Sequence, residues 1–319
     1  MILVTGATGT TGSALVRDLL DRGLEVAAMT RDPARVPARP GLTATTEVVP
    51  AEAMYLLPPA ARTPPGYEEN LLHAAKEAGI GRVVRLSAIG TPDTGHELPP
   101  GHLGAWHFRG ELALRRSGLE WTVLRPTTFA TNSLAWAPDI RAGRPVVNPF
   151  GDGKQGVIDP ADIAAVAAEV LTGDGHHGRT YTLTGPELIT VPEQLAVLAD
   201  IVGRPIEVLD REPSPELFPP EIAEAATAGA RLVRSGGNAI VTPDVEKITS
   251  RRPATRPPSE RGPRKHGPAD DGFRLKRNRF RTSSWWGERS GRASGQLTPP
   301  RPSAGAAVCT HRPATTSCS

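Results

Sequence analysis

MILVTGATGTTGSALVRDLLDRGLEVAAM, residues 1–29, is the stretch that decides the fold. MILVT is an apolar run cut short by glycine, the pattern of a short buried strand. GATGTTG follows, then SALVRDLLDRG, which puts Leu15, Leu19 and Leu20 on one helical face and stops at Gly23. LEVAAM is a second strand. Strand, glycine-rich turn, helix and strand in this order make a βαβ unit.

The alternation continues along the chain. AMYLLP reads as a buried strand, and GYEENLLHAAKEAG as a helix with Leu71, Leu72 and Ala75 inward and a stop at Gly79. RVVRLS is a strand, HLGAWHFRGELALRRSG a helix and LEWTVLRP a strand. Such a chain predicts an α/β fold, a doubly wound parallel sheet with helices on both faces. After residue 130 the pattern loosens. NSLAWAPDIRAG reads as helical, IDPADIAAVAAEVL as a helix capped by Asp159, RTYTLTG as a strand, TVPEQLAVLADIVG as a helix and PIEVLD as a strand. These pieces suit a small α/β lobe beside the open sheet, where folds of this class bind a second substrate. The expected organisation is a dinucleotide-binding domain over 1–150, a substrate lobe interleaved with the sheet over 151–249, and a tail over 250–319.

The 319 residues carry a formal net charge of +3, unevenly spread. Residues 250–319 hold 15 Lys+Arg against 4 Asp+Glu, a balance of +11 that leaves −8 for residues 1–249. A nucleic-acid partner could therefore rest only on the tail, not on the folded body. The tail is rich in Arg, Pro, Ser and Gly and has no sustained apolar period, so it is expected to be disordered. Both cysteines, Cys309 and Cys318, lie there, which leaves the body without a disulfide framework or a thiol nucleophile. The N-terminus shows no basic region followed by a long apolar run, and no stretch approaches the roughly 20 apolar residues that span a bilayer. The expectation is a cytoplasmic protein with a small-molecule substrate and no membrane partner.

Gly6, Gly9 and Gly12 form G-x-x-G-x-x-G between a strand and a helix. Glycine lets the turn close tightly and lets backbone N–H groups approach a pyrophosphate at the positive helix N-terminus. The placement predicts a dinucleotide site. Enzymes selective for NAD commonly end the second strand in an acid that bonds the ribose hydroxyls, whereas LEVAAM is followed by Thr30 and Arg31. An arginine there can grip a 2′-phosphate, so NADP(H) is preferred and NAD(H) remains open, with Asp32 alongside.

VTGATGTTGSALVRDLL, TRDP, EENLLHAAKEAGIGRVVRLSAIG, SGLEWTVLRPTTFATN and IDPADIAAVAAEVLTG, in order over roughly residues 1–250, resemble the NmrA-like family of atypical short-chain dehydrogenase/reductases. The resemblance implies a Rossmann-like fold and NAD(P) binding. It places Gly6, Thr8, Gly9, Thr10 and Gly12 on the phosphate loop, Arg31 on the 2′-phosphate, and Leu57 and Pro58 beside the adenosine half. It puts Ser87 next to the nicotinamide and Pro126, Thr127 and Phe129 on the loop closing over it. The family includes NADPH-dependent quinone reductases as well as proteins that bind the dinucleotide as redox sensors without turnover; a protein partner belongs to the second case.

Two departures stand out. Family members carry a third strand ending in Gly-Asp and then a helix before AMYLLP, but GLTATTEVVPAE is too short for both, and no acid addressing the adenine is recognisable. The C-terminal helical end is replaced after DVEKITSR by the Arg/Pro-rich tail.

For chemistry, ordinary dehydrogenases of this class place a Tyr and, four residues on, a Lys where AWHFRGE (105–111) stands, and this chain has His107 and Glu111. Imidazole backed by a carboxylate at i,i+4 is a candidate proton donor near neutral pH, and Ser87 a candidate donor to a developing oxyanion. A quinone takes hydride directly to give a stabilised anion, so it tolerates weak acid assistance. Ser87, His107 and Glu111 are thus the candidate catalytic group of an NADP(H)-dependent oxidoreductase acting on a quinone-like or carbonyl acceptor. The alternative is a non-catalytic, redox-sensing NAD(P)(H)-binding regulator. His176 and His177 lack further ligands at helical spacing, and no metal site is expected.

Overall fold

The parallel sheet is built outward from the N-terminal βαβ unit. The computed structural model describes residues 1–58, 66–93, 104–220 and 222–254, with the side chains of residues 105 and 106 excepted. In chain order the main elements are β1 (Ile2–Thr5), α1 (Thr10–Asp21), β2 (Val26–Met29), β3 (Leu42–Thr45), β4 (Ala53–Leu56), α2 (Tyr67–Glu77), β5 (Arg82–Leu86), α3 (Ala105–Arg116) and β6 (Glu120–Pro126). A 3-10 turn over Ala130–Trp136 leads into α4 (Ala137–Ala142), β7 (Val146–Asn148), α5 (Pro160–Thr172), β8 (Arg179–Leu183), α6 (Val191–Val202), β9 (Val208–Asp210), α7 (Ala223–Arg234) and α8 (Asp244–Thr249). Seven strands form one sheet in the order β3-β2-β1-β4-β5-β6-β8, every pairing parallel. This is the doubly wound architecture that the sequence predicts.

Strand alternation sorts the core into two faces. One face carries Ile2, Val4, Val26, Ala28, Tyr55, Val84 and Leu124 and packs on α1 and α5; Leu15 and Leu19 of α1 are fully buried there. The other carries Leu3, Ala27, Met54, Val83 and Val123 and packs on Leu71, Leu72 and Ala75 of α2 and Leu114 of α3. A smaller cluster of Val146, Val191 and Leu195 holds the lobe, with Trp136 packed against it and β7 paired to β9.

Three sequence expectations are refined. A third strand is present: β3 pairs along β2 at the sheet edge, and the missing element is the helix after it. Residues 46–52 run straight back to β4, crossing β2 and β1, and half-buried Val48, Val49 and Ala51 pack on the face that a helix would cover. Three strand spacings are ~14 Å, within reach of an extended segment of that length at ~3.3 Å per residue. RTYTLTG is not a lobe strand; as β8 it forms the seventh strand of the main sheet. NSLAWAPDIRAG divides into the 3-10 turn and α4, with Pro138 in the first turn of α4.

All described residues fall in one compact unit, Met1–Ala269. The expectations for the tail beyond residue 254 lie outside the described residues. Among the described residues, no helix is long and apolar enough to cross a membrane.

Candidate functional site

Parallel strands place all their carboxyl ends on one edge, which gathers the loops that the sequence singles out. Gly6 leaves β1 with φ +60°, and its carbonyl accepts the Gly9 N–H at 2.9 Å. A Cβ at Gly12 would lie 2.2 Å from that carbonyl oxygen, so turn and helix approach more closely than any side chain allows. α1 starts after Gly9 with no side-chain cap, so no residue of its own covers the first-turn N–H groups from the side. A cradle of backbone donors at a positive helix end fits a dinucleotide pyrophosphate. Thr8 and Thr10 stand in this loop at the surface.

Leu57 borders the cradle from β4. Its N–H donates to the Thr5 hydroxyl at 2.8 Å, and its side chain fills the space over Gly6. Pro58 follows it and is buried. Arg31 is exposed just past β2, while the Asp32 carboxylate turns away to accept the Ala34 N–H at 3.2 Å. The acid that clouds the cofactor preference is thus occupied in capping a 3-10 turn, Pro33–Arg35.

The loops after β5 and β6 are tied together. Ser87 N–H donates to Leu124 O at 2.7 Å and Ile89 N–H to Pro126 O at 3.0 Å. The Thr127 hydroxyl donates to Gly156 O, Thr127 N–H to Leu183 O at 2.9 Å, and Phe129 pairs with Ile158. Pro126, Thr127 and Phe129 therefore form a braced loop between β6, β8 and the start of α5.

Beneath these loops lies a buried ionic network. The Ser87 hydroxyl donates to Glu111 Oε1 at 2.6 Å. Arg125 grips the same carboxylate in bidentate fashion, Nε to Oε1 at 2.9 Å and Nη2 to Oε2 at 2.7 Å. Arg115 adds a contact to Oε2 at 3.1 Å, and Asp93 takes the remaining Arg125 nitrogen at 2.7 Å. Glu111 is fully buried. A second bidentate pair, Arg85 with Glu68 at 2.7 and 2.9 Å, stands beside it on β5. A Cβ at Gly110 would lie 2.2 Å from Arg85 Nη2, so glycine on α3 makes room for this pair.

His107 lies one helical turn before Glu111 and is buried. Desolvation first, then the positive charges of Arg85 and Arg125, push its imidazole down to about 3. It is neutral at neutral pH, which differs from the acid that the sequence suggests. Ser87 likewise spends its proton on Glu111 instead of holding it for an oxyanion. Glu68, Arg85, Asp93, Arg115 and Arg125 are the members of this assembly that sequence reasoning passes over. For Arg85 and Arg125 the signal is visible afterwards: arginines at the inward positions two residues beyond Val83 and Val123 must find buried partners.

His176 Nδ1 lies 2.8 Å from the Tyr181 hydroxyl, and His177 Nδ1 accepts the Trp121 N–H at 3.2 Å. Both histidines brace β6 and β8. Among the described residues, no group of His, Cys, Asp and Glu could hold a metal ion.

The NAD(P)H-binding family pattern matches residues 6–55 and 58–174. The (4-alkanoyl-5-oxo-2,5-dihydrofuran-3-yl)methyl phosphate reductase of Streptomyces griseus is 35% identical over 272 residues, 79% of this chain and 93% of that protein. The NAD(P)H azoreductase of Xenophilus azovorans is 34% identical over 220 residues, 65% of this chain and 75% of that protein. Among solved structures, the NADPH-dependent quinone oxidoreductase QOR2 of Escherichia coli, complexed with NADPH, superposes with a TM-score of 0.69 at 24% identity, covering 80% of this chain and 96% of that one.

Proposed function

The chain belongs to the NAD(P)H-binding, NmrA-like family of atypical short-chain dehydrogenase/reductases, and we propose that it is an NADPH-dependent reductase of a quinone-like or carbonyl acceptor. One observation carries the cofactor half: the close approach of Gly12 to the Gly6 carbonyl, beneath a helix start that no side chain caps. Gly6, Thr8, Gly9, Thr10 and Gly12 hold the pyrophosphate. Arg31 pairs with the 2′-phosphate, its neighbour Asp32 being turned into its own cap. Leu57 and Pro58 border the adenosine half, and Pro126, Thr127 and Phe129 form a braced wall over the nicotinamide.

The bound cofactor supplies the hydride. The side chains beneath the nicotinamide position it and donate little. Arg125 fixes Glu111, Glu111 fixes the Ser87 hydroxyl, and Ser87 fixes the loop after β5. With Ser87 committed and His107 neutral, the proton that completes reduction comes from water. That suits an acceptor whose reduced anion is already stable, such as a quinone, better than a simple ketone. The similar proteins are named for reducing an oxo-dihydrofuranyl phosphate, an azo compound and a quinone, which are electron-poor acceptors of this kind.

The second reading is a cofactor-binding regulator, and the same locked network favours it. NADPH mixed with the protein and a panel of quinones separates the two. Acceptor-dependent NADPH oxidation supports the reductase, and binding without oxidation supports the regulator.

A further inference from the structure

The sheet order sets α2 and α3 side by side. α2 carries the chain from β4 to β5 and α3 from β5 to β6, and these three strands are neighbours. Parallel crossovers share one hand, so both helices cover the same face, where Leu71, Leu72, Ala75 and Leu114 pack. On their outer side the two helices leave a groove of about 420 Å³ between them.

Both helices line this groove with the same spacing. α2 contributes Glu69, Leu72, His73 and Lys76, and α3 contributes Arg109, Leu112, Ala113 and Arg116. Each set runs i, i+3, i+4, i+7, which is one face over two turns, or ~10 Å of helix. The floor is apolar: Leu72 is buried, and Leu112 and Ala113 are half-buried. The rim is cationic: Lys76, Arg109 and Arg116 are exposed. Among the described residues, none of these three side chains is held in an ion pair or a hydrogen bond. Three fixed cations against the single carboxylate of Glu69 leave +2 in the lining. Residues 1–249 as a whole balance to −8, so this groove runs against the charge of the body.

We propose that the α2–α3 groove docks an acidic amphipathic helix of another protein, with its apolar face on Leu72, Leu112 and Ala113 and its carboxylates on Lys76, Arg109 and Arg116. Charge selects this occupant. A second copy of the chain would bring the patch to itself about a two-fold axis, setting +2 against +2. The segment after residue 254 carries 13 Lys+Arg against 4 Asp+Glu, the same sign as the rim. A nucleic acid has the fitting sign, but no Phe, Tyr or Trp lines the groove for a base to stack on. An apolar stripe at helical spacing on both walls suits a third helix laid between two. No residue of the cofactor cradle lines the groove, so the proposal stands apart from the reductase reading.

The test uses the full-length chain and a fluorescein-labelled peptide of about 14 residues, four helical turns, with Leu along one face and Glu beside it. Fluorescence anisotropy reads its Kd. Raising the salt to about 0.3 M is expected to raise the Kd at least about fivefold. A scrambled peptide of the same composition, without the apolar face, is expected to bind at least about fivefold more weakly. The triple substitution Lys76→Ala, Arg109→Ala and Arg116→Ala is expected to raise the Kd by about tenfold or more, and Leu112→Ala by about fivefold. Circular dichroism checks that each variant is folded, and the salt and scrambled-peptide arms decide on the unaltered chain if one is not. Absence of peptide binding overturns the proposal, as does equal binding of the scrambled peptide. Binding that survives both variants lies elsewhere on the chain and also overturns it. A dimer seen by sedimentation and broken by the triple substitution assigns the groove to a second copy. A single-stranded oligonucleotide that binds more tightly than the peptide, and is lost in the triple variant, assigns it to nucleic acid. Either result overturns the proposal.

Discussion

The Ser87 hydroxyl and the Glu111 carboxylate meet at 2.6 Å, joining the end of β5 to the middle of α3 at the place where the nicotinamide is expected. Arg125 completes the assembly with two bonds to the same carboxylate. A buried charge of this kind is stable only while its partner is present. Glu111→Ala leaves Arg125 buried with the exposed Asp93 carboxylate and the Pro92 carbonyl as its remaining partners among the described residues, and should cost about 3–5 kcal/mol of unfolding free energy. Urea denaturation without cofactor measures it. A loss below about 1 kcal/mol would mean that the pair behaves like a surface salt bridge.

His107 gives a pH signature. Its folded value of about 3 lies below the ordinary 6.5, so the unfolded chain takes up a proton that the folded chain refuses. The His107 contribution is therefore complete above about pH 6.5 and is lost as pH falls toward the folded value. From pH 7 to 5 the protein should lose about 2 kcal/mol through this group. The comparison is the difference between the urea midpoints at the two pH values, in the protein and in His107→Phe. The variant should show the smaller difference, and equal differences would assign the pH dependence elsewhere.

Gly110→Ala should destabilise although alanine is the better helix former by about 1 kcal/mol. The added Cβ would sit 2.2 Å from Arg85 Nη2 and 2.5 Å from each Glu68 carboxylate oxygen. Forcing that pair apart should outweigh propensity and leave a net loss of about 1–3 kcal/mol. Thermal unfolding gives the sign directly, and a rise in Tm would contradict the packing described for α3.

Arg31→Ala should raise the Kd for NADPH by about tenfold to a hundredfold and change that for NADH by less than about threefold. Titration of nicotinamide fluorescence against both cofactors reads the ratio. Equal weakening of the two would remove Arg31 from the 2′-phosphate.

Much of this was legible in the sequence, and the rest failed for identifiable reasons. The cradle could be read because Gly6, Gly9 and Gly12 sit between a strand and a helix whose periods are local. β3 escaped because LTAT is a short edge strand with two exposed residues in the middle, so its evidence is backbone pairing with β2, not side-chain pattern. β8 was assigned to the lobe because nothing in RTYTLTG says which sheet will receive it; the crossover through α5 decides that. The i,i+4 spacing puts His107 and Glu111 on one helical face, and the structure buries that face, which the sequence does not show. Their chemistry was not legible, because it depends on Arg85 and Arg125, which arrive from strands well apart in sequence.

The central claim is hydride transfer from NADPH to an electron-poor acceptor, and steady-state loss of the nicotinamide absorbance band in the presence of 1,4-benzoquinone tests it most directly. The account predicts saturable, enzyme-dependent oxidation whose kcat varies little between pH 6 and 8, since His107 stays neutral across that range. NADPH that binds tightly yet is never oxidised by benzoquinone or any other quinone would contradict it and make the protein a cofactor sensor.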